Sequence, residues 1–459
     1  MSATDFASLP LAPEQLQTLA ALEYHTMTPV QAESLPLMLA GRDVIAQAQT
    51  GSGKTAAFAL TVLHNLNVAQ YAVQALVLCP TRELAEQVAE EIRRLARSQA
   101  NVKVLTLCGG VPTRDQSLSL QHGAHVIVGT PGRVLDHVSQ QRLDLTQLHT
   151  LVLDEADRML DMGFQAELDA IIEAAPVKRQ TLLFSATFPP QIASLAQHLM
   201  QAPAHIEVAA IETQAPITKL FYQLSASQHG AEAVAHVLLA QQPNQAIVFC
   251  NTKREADSVF TYLHNAGFSV QALHGDMEQK DREETLLLFN NQSVRILVAT
   301  DVAARGLDIK ALDLVVNLGL AHDVETHTHR IGRTGRAGEA GRAISLLTTQ
   351  CEYKFHLLQD TAPAPLSLQA FPDAAPTGKP APASMATIQI QGGKKDKLRP
   401  GDIVGALTKD GGLAFEQVGK IKVQAKVAYV AVARAKAKHA LALLTEDKLK
   451  GRRFRARLV

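Results

Sequence analysis

Nine short runs rich in Val, Ile and Leu recur between residues 74 and 348, and they constrain the fold more than any other feature. The first four are QALVLCP (74–80), HVIVGTP (125–131), TLVLDEA (150–156) and QTLLFSAT (180–187). A strand with one wet face alternates apolar and polar residues. These runs do not alternate, so both of their faces must be covered. Segments with helical apolar spacing lie between them, for example RELAEQVAEEIRRLARS (82–98). Strands alternating with helices specify a doubly wound α/β domain around a parallel sheet. The rhythm then restarts with QAIVFCNT (245–252), FSVQALHGD (268–276), VRILVATD (294–301), LDLVVNLG (312–319) and GRAISLLT (341–348). A second domain of the same class is expected, since 459 residues are too many for one ordinary domain. The pattern fades through HIEVAAIETQAPI, which puts the boundary near 206–217 and the two domains at 1–208 and 209–360.

Residues 361–384, TAPAPLSLQAFPDAAPTGKPAPAS, are rich in Ala and Pro. Proline removes backbone donors and favours extended conformers, so this segment reads as a semi-stiff linker. Beyond it, TIQIQGG (387–393), GKIKVQ (419–424), KVAYVAVAR (426–434) and GRRFRARLV (451–459) read as strands. PGDIVGALTKDGG (400–412) and KAKHALALLTED (436–447) read as helices. The order βαββαβ, over 385–459, is the split βαβ arrangement.

Charge separates the segments. The whole chain balances 44 basic against 44 acidic residues, yet residues 381–459 hold 17 Lys and Arg against 6 Asp and Glu, a net of +11. The rest of the chain therefore carries −11. Such asymmetry points to a polyanion-binding appendage; a solvated basic surface is the plainer alternative. Five of the last ten residues, KGRRFRARLV, are basic. In an extended chain Arg453, Arg455 and Arg457 share one face while Phe454, Ala456 and Leu458 share the other, which a disordered tail would not need.

The four cysteines, Cys79, Cys108, Cys250 and Cys351, form no CxxC pair. That argues against a disulfide framework or zinc site and favours a reducing, cytoplasmic setting. MSATDFASLPLAPEQ, the opening stretch, has no leader pattern. No run of about 18 apolar residues predicts a membrane span.

Three motifs carry chemistry. AQTGSGKT (48–55) follows the apolar RDVIAQ and precedes the helical AAFALTVLHNL, the strand–loop–helix context of a phosphate loop. Glycines turn backbone N–H groups onto phosphate oxygens, and the helix N-terminus adds its dipole. Gln49, Thr50, Gly51, Ser52 and Gly53 would line the cradle, Lys54 would reach the β/γ-phosphates and Thr55 would hold Mg²⁺. Ala48 stands where the generic pattern has its first glycine. LVLDEAD (151–157) ends an apolar strand in carboxylates: Asp154 suits Mg²⁺ and Glu155 suits orienting a water. Acidic residues also favour helix N-caps, which is the bland explanation. In HRIGRTGR (329–336), Arg330, Arg333 and Arg336 recur every third residue, as on one side of a helical turn. Guanidinium groups suit a transferring γ-phosphoryl, and an ordinary basic patch is the alternative.

These motifs belong to a longer ordered set. TPVQ (28–31), AQTGSGKT, PTRELA (80–85), GG (109–110), TPGR (130–133), DEAD (154–157), SAT (185–187), VFCNT (248–252), HGD (274–276), QKDR (279–282), ATDVAARGLDI (299–309) and HRIGRTGR follow in sequence. Over about residues 1–350 the chain resembles the DEAD-box RNA helicases, whose own form of the phosphate loop begins with Ala. The resemblance implies an α/β fold of two RecA-like doubly wound parallel-sheet domains, ATP and Mg²⁺ as cofactors, and RNA-stimulated ATP hydrolysis. It implies adenine recognition by Gln31 with Phe6 upstream, a ribose contact at Asp308 and γ-phosphate fingers at Arg333 and Arg336. Ser185 and Thr187 resemble the element linking hydrolysis to strand separation, with His329 in the same coupling network. Thr81, Arg82, Gly110, Thr130, Gly132 and Arg133 resemble RNA-backbone contacts of the first domain, and Gly275, Arg282 and Thr300 those of the second. Turn chemistry alone also explains glycines and threonines in such places.

The C-terminal module looks like an RNA-recognition motif, with few of the usual aromatics. Tyr429 is the one aromatic in KVAYVAVA, and Gln389 holds an aromatic place in the first strand. Lys394, Lys395, Lys397, Arg399, Arg434, Lys436, Arg452, Arg453 and Arg455 are the candidates to grip phosphates and base edges of a folded RNA. Core, linker and divergent module together are similar to one bacterial subgroup of the family. That likeness implies 23S ribosomal RNA and large-subunit (50S) assembly intermediates as partners, and a monomer. The expected activity is non-processive unwinding of short RNA duplexes. An ATP-gated RNA clamp or scaffold without essential unwinding is the competing reading, and a DNA helicase is disfavoured by the motif set.

Overall fold

The computed structural model describes residues 4–48, 51–208, 217–301, 312–335, 341–348, 351–362, 365–372, 378–446 and 449–459. Gln49, Thr50, Asp308 and Arg336, four of the expected site residues, lie outside them. The chain divides into two compact units near residue 212.

The first unit is built on a parallel sheet. Its strands are β1 (Val44–Gln47), β2 (Ala75–Leu78), β3 (Val104–Leu107), β4 (Val126–Gly129), β5 (Thr150–Leu153), β6 (Gln180–Ser185) and β7 (Ala204–Glu207). Their order across the sheet is β3-β4-β2-β5-β6-β1-β7. Successive residues of each strand face opposite sides. Ala75 and Val77 join one core with Phe58 and Ile92, while Leu76 and Leu78 join the other with Leu168 and Ile192. Two apolar faces on one strand are the reason its sequence runs apolar without alternation.

The second unit repeats the plan. Strands β8 (Ile217–Gln223), β9 (Ala246–Cys250), β10 (Val270–Leu273), β11 (Ile296–Thr300), β12 (Leu314–Leu318), β13 (Gly341–Leu347) and β14 (Leu368–Ala370) order as β10-β11-β9-β12-β13-β8-β14. Strand for strand this is the order of the first sheet, and all its pairings are parallel. Strand β14 corrects the expectation of a plain linker over 361–384. Leu368–Ala370 pairs in parallel with Phe221–Gln223, and the next residue, Phe371, is buried edge-on against Tyr222 and against His236. An aromatic anchor inside the Pro-rich stretch ties this part of it to the domain it follows.

The same unit ends in a four-stranded antiparallel sheet, β16-β17-β15-β18, made of β15 (Met385–Ile390), β16 (Val418–Val423), β17 (Ala428–Ala433) and β18 (Ala456–Leu458). Helices Pro400–Leu407 and Ala437–Glu446 complete the βαββαβ order and bury Ile403, Leu407, Ala440 and Leu444 against Ile388, Ile390 and Val430. The other face of this sheet meets the second α/β domain. The Thr387 hydroxyl lies 2.7 Å from that of Ser293 and 3.1 Å from Asn291 Nδ2, all buried. Lys420 Nζ donates to the Asn290 carbonyl at 2.9 Å, and Arg295 to that of Pro382 at 3.2 Å. No helix among the described residues is long and apolar enough to cross a membrane.

Candidate nucleotide and RNA sites

Parallel strands bring all their carboxyl ends to one edge, and ligands of open α/β sheets bind there. In the first unit that edge divides in two. Strands β5, β6 and β1 carry the phosphate-loop and carboxylate candidates; β3, β4 and β2 carry the candidates for RNA-backbone contact.

On the phosphate side, β1 runs into the glycine loop and helix Lys54–Asn65. Gly51 (φ 87°) and Gly53 (φ 95°) occupy the left-handed region, which only glycine enters at no steric cost. Gln31 is buried beneath the loop: its Nε2 donates to the Gly53 carbonyl at 3.0 Å, while its Oε1 caps Thr28 N at 2.9 Å. Lys54 is 6% exposed, and its Nζ donates to the Ala48 carbonyl at 2.7 Å. The Ser185 carbonyl accepts from Ala48 N at 3.0 Å, tying the loop entrance to β6. Phe6 is packed in the core edge-on to Tyr24.

Strand β5 delivers Asp154 and Glu155, both buried. Burial pushes the Asp154 carboxyl up to about 7; Glu155 and Asp157 add to the rise, and Lys54 opposes it. A carboxylate so poor in compensating charge is the setting a hard divalent cation would relieve. Asp154 and the Thr55 hydroxyl are oxygen donors of the kind Mg²⁺ takes, and with nucleotide phosphates they would make an all-oxygen set. Glu155 is held at φ 54°, ψ 53°, in the left-handed region.

Asp157, for which the sequence suggested no role, connects this edge to the next strand. Its Oδ2 accepts from Ala186 N at 3.1 Å, Thr187 N at 3.0 Å and Thr187 Oγ1 at 3.0 Å. One carboxylate therefore locks the segment after β5 to the segment after β6. Ser185 is fully buried, and its hydroxyl has no partner among the described residues.

On the other side, Thr81 caps helix Arg82–Leu95 through Leu84 N. The Arg82 guanidinium lies against Gly109: a Cβ there would stand 2.9 Å from its Nη2. Gly110 sits at φ 76°, so turn geometry already demands it. Thr130, Gly132 and Arg133 open helix Pro131–Ser139, and Arg133 Nη1 donates to the Val111 carbonyl at 3.0 Å. Gly132 differs from Gly110. Its φ is not positive, and a Cβ there would meet nothing within 4 Å. Neither conformation nor packing asks for glycine there.

In the second unit, Gly275 and Thr300 follow or end β10 and β11, at places equivalent to those after β3 and β4. Arg282, in helix Gln279–Asn290, donates to the His274 carbonyl at 3.4 Å. The expected row of three arginines is corrected. Helix Val324–Ile331 ends at Gly332, so Arg330 and Arg333 do not share a helical face. Arg330 is 2% exposed and spends its guanidinium inside the domain: Nε and Nη2 each lie 2.6 Å from the Asp301 carboxylate, and Nη2 donates to Asn251 at 2.8 Å. Arg333 is also buried, past the helix end, and its carbonyl accepts from Leu312 N at 3.1 Å. His329 is half-buried in the helix, immediately before Arg330.

The basic candidates of the last domain separate into two groups. Lys394 N and Lys395 N bond to the Gln424 and Ala425 carbonyls of the β16–β17 hairpin, and Gln391 N to the Arg455 carbonyl. Lys394, Lys395, Arg452, Arg453 and Arg455 are exposed there, at one end of the sheet, with Arg399 following at the next helix start. Arg434 belongs at the opposite end, where Ala433 pairs with Met385, and its Nε donates to the Ala383 carbonyl at 2.7 Å. Tyr429 is 6% exposed; its hydroxyl accepts from Gln389 Nε2 at 2.8 Å, and Gln389 Oε1 accepts from Arg457 Nε at 2.8 Å. A tyrosine so covered offers no open ring for a base, which corrects its place among the RNA contacts. Its sheet face lies against the α/β domain instead, and Gln389 is there to satisfy the buried hydroxyl.

Residues 28–195 match the DEAD/DEAH box helicase family, 230–338 the helicase conserved C-terminal domain and 387–458 the DbpA RNA binding domain. The chain is 50% identical over 449 residues to ATP-dependent RNA helicase DbpA of Escherichia coli, covering 98% of each. It is 42% identical over 358 residues to DEAD-box ATP-dependent RNA helicase CshA of Geobacillus kaustophilus, covering 78% of this chain and 76% of that one. The structure of S. cerevisiae Dbp5 bound to RNA and ADP BeF3 matches with a TM-score of 0.72 at 30% identity, covering 81% of this chain and 96% of that one.

Proposed function

Since the chain belongs to the DEAD-box ATP-dependent RNA helicases, in the group carrying a DbpA RNA-binding domain, we propose that it separates short duplexes of 23S ribosomal RNA during large-subunit assembly in the cytoplasm, acting as a monomer. The observation that carries the mechanism is the divided edge of the first sheet. ATP chemistry at β1, β5 and β6 and backbone-gripping groups at β2, β3 and β4 sit on one rigid element, so strain at one half is felt at the other.

In this reading the loop amides and Lys54 hold the phosphates, while Gln31, bonded to Thr28 N and the Gly53 carbonyl, braces the loop beside the base; the Phe6 ring is too covered to stack on it, which corrects its expected part in adenine recognition. Asp154 and the Thr55 hydroxyl would hold Mg²⁺, which would supply neutralisation of phosphate charge. Glu155 orients the attacking water, and Arg333 and Arg336 stabilise the γ-phosphoryl as it leaves. Asp157 carries any shift of the carboxylate strand to Ala186 and Thr187, which ties turnover to the coupling segment. Thr81, Arg82, Gly110, Thr130, Gly132 and Arg133 grip RNA backbone, as do Gly275, Arg282 and Thr300. Such contacts carry no sequence information. Choice of RNA then falls to the basic end of the last domain.

Full-length protein with Arg453→Glu and Arg455→Glu tests that assignment. Half-maximal ATPase stimulation by 23S rRNA fragments is expected to need about tenfold more RNA, and the salt slope is expected to flatten by about two. Stimulation by random RNA of equal length should change little. Unchanged affinity and slope for the ribosomal fragment would remove these arginines from the RNA surface.

A further inference from the structure

Two of the backbone-gripping segments meet on a side chain that no motif contains. Gln116, in helix Thr113–Gln121, is 7% exposed. Its Nε2 donates to the Cys108 carbonyl at 2.9 Å, and its Oε1 lies 2.8 Å from Arg133 Nη1 and 3.0 Å from His137 Nε2. Arg133 Nη1 also donates to the Val111 carbonyl. The Gly109–Gly110 turn is thus held on both sides, at Cys108 by Gln116 and at Val111 by Arg133.

We propose that Gln116 is a positioning residue for RNA binding, fixing Arg133 and the Gly109–Gly110 turn in one geometry. The proposal rests on the reading of Gly110 and Arg133 as RNA-backbone contacts. Protonation logic makes the arrangement single-valued. Arginine only donates, so the glutamine must turn its oxygen toward Arg133 and its nitrogen toward Cys108. With that oxygen fixed, His137 Nε2 must donate, which selects one neutral tautomer. His137 is fully buried; burial holds the imidazole below its ordinary value, with Arg142 and Arg133 helping and Asp136 opposing. Its Nδ1 has no partner among the described residues. A flipped amide would set N–H against the donors of Arg133 and His137, so no second arrangement of the same atoms satisfies Arg133. Among the described residues only Nη1 of Arg133 is engaged, which leaves Nε and Nη2 as phosphate donors.

The test is a double-mutant cycle on the full-length protein. Gln116→Leu is expected to raise the half-saturating RNA concentration in the ATPase assay about tenfold, as loss of a hydrogen bond to a charged group predicts. The turnover at saturating RNA and the affinity for a fluorescent ATP analogue without RNA are expected to stay within about twofold. Arg133→Ala should weaken RNA binding by itself, and adding Gln116→Leu to it should cost less than the full tenfold, because the two act together. Gln116→Met carries the same expectation should the leucine variant fold poorly. Fully multiplicative effects overturn the positioning role, as does unchanged RNA affinity in a folded Gln116 variant. Equal loss of ATP and RNA binding points to a merely structural residue and also overturns it. If Arg133→Ala itself binds RNA normally, the contact assignment fails, and the inference goes with it.

Discussion

Glu155→Gln is expected to cut RNA-stimulated ATP turnover by about 10²–10³-fold while ATP and RNA still bind. A positioned group that accepts or orients a proton contributes about 10²–10⁴. The substitution keeps size and hydrogen-bonding length but removes the basic oxygen. The backbone supplies a second arm of the test. Glu155 sits at φ 54°, where a side chain other than glycine costs about 1–3 kcal/mol, and no side-chain cap bond compensates for it. Strain kept at a site is a sign that function fixes the residue there. Glu155→Gly should therefore melt no lower than the parent while losing turnover as fully as the glutamine variant. Multiple-turnover strand separation then decides between enzyme and scaffold: an enzyme loses it with Glu155→Gln, whereas an ATP-gated clamp keeps its function on RNA in that variant without turnover. Parental turnover in that variant would remove Glu155 from the chemistry.

The two parallel sheets were legible because burial on both faces leaves a mark that no tertiary context can hide. From Ala75 to Cys79 the chain has no polar residue to turn outward. The strands that escaped are those without that mark. All three residues of β14 are exposed, so nothing in its composition distinguishes it from the Pro-rich stretch around it. Strand β8 mixes Thr218, Lys219 and Gln223 with Leu220 and Phe221, so it offers no continuous apolar run. At the other end the alternation of KGRRFRARLV promised more strand than forms. Lys450 (φ 51°) and Gly451 (φ 78°) turn the chain, and only Ala456–Leu458 is strand. Phe454 does face inward, against Gly392, where a Cβ would stand 2.4 Å from its ring.

Site residues were legible where a ligand dictates spacing and obscure where only the protein does. Glycines and a lysine in AQTGSGKT answer to phosphate geometry, which is the same in any chain. Asp157 stood in plain view in LVLDEAD, but its use depends on three donors about thirty residues later, at Ala186 and Thr187. Tyr429 was misjudged for a related reason. Whether an aromatic on a sheet is a platform or a buried contact depends on what covers it, and here a neighbouring domain does.

The arginines show the largest gap between spacing and role, and they give the second large effect. Asp301→Ala is expected to destabilise the second unit by about 3–5 kcal/mol, the usual result of removing one partner from a buried ion pair. Arg330 is 2% exposed, both oxygens of Asp301 face it at 2.6 Å, and its guanidinium stands 5.2 Å over the Phe249 ring. Without the carboxylate, only Asn251 and that ring remain, among the described residues, to offset a full charge in a low dielectric. Arg330 itself cannot escape by deprotonation. The pair, however, is not expected to be a large net source of stability, because desolvating both charges offsets most of their attraction. The double variant Asp301→Ala with Arg330→Met should therefore recover much of the loss and sit closer to the parent than Asp301→Ala does. Urea midpoints followed by a probe in the second unit give the order. If the single variant unfolds at the parental midpoint, the charge is not confined as its burial implies; if the double variant is the least stable of the three, the pair contributes through its contacts rather than through its charge. A row of exposed fingers at Arg330, Arg333 and Arg336 would predict neither pattern. In the structure the first of the three anchors the helix from which the second emerges.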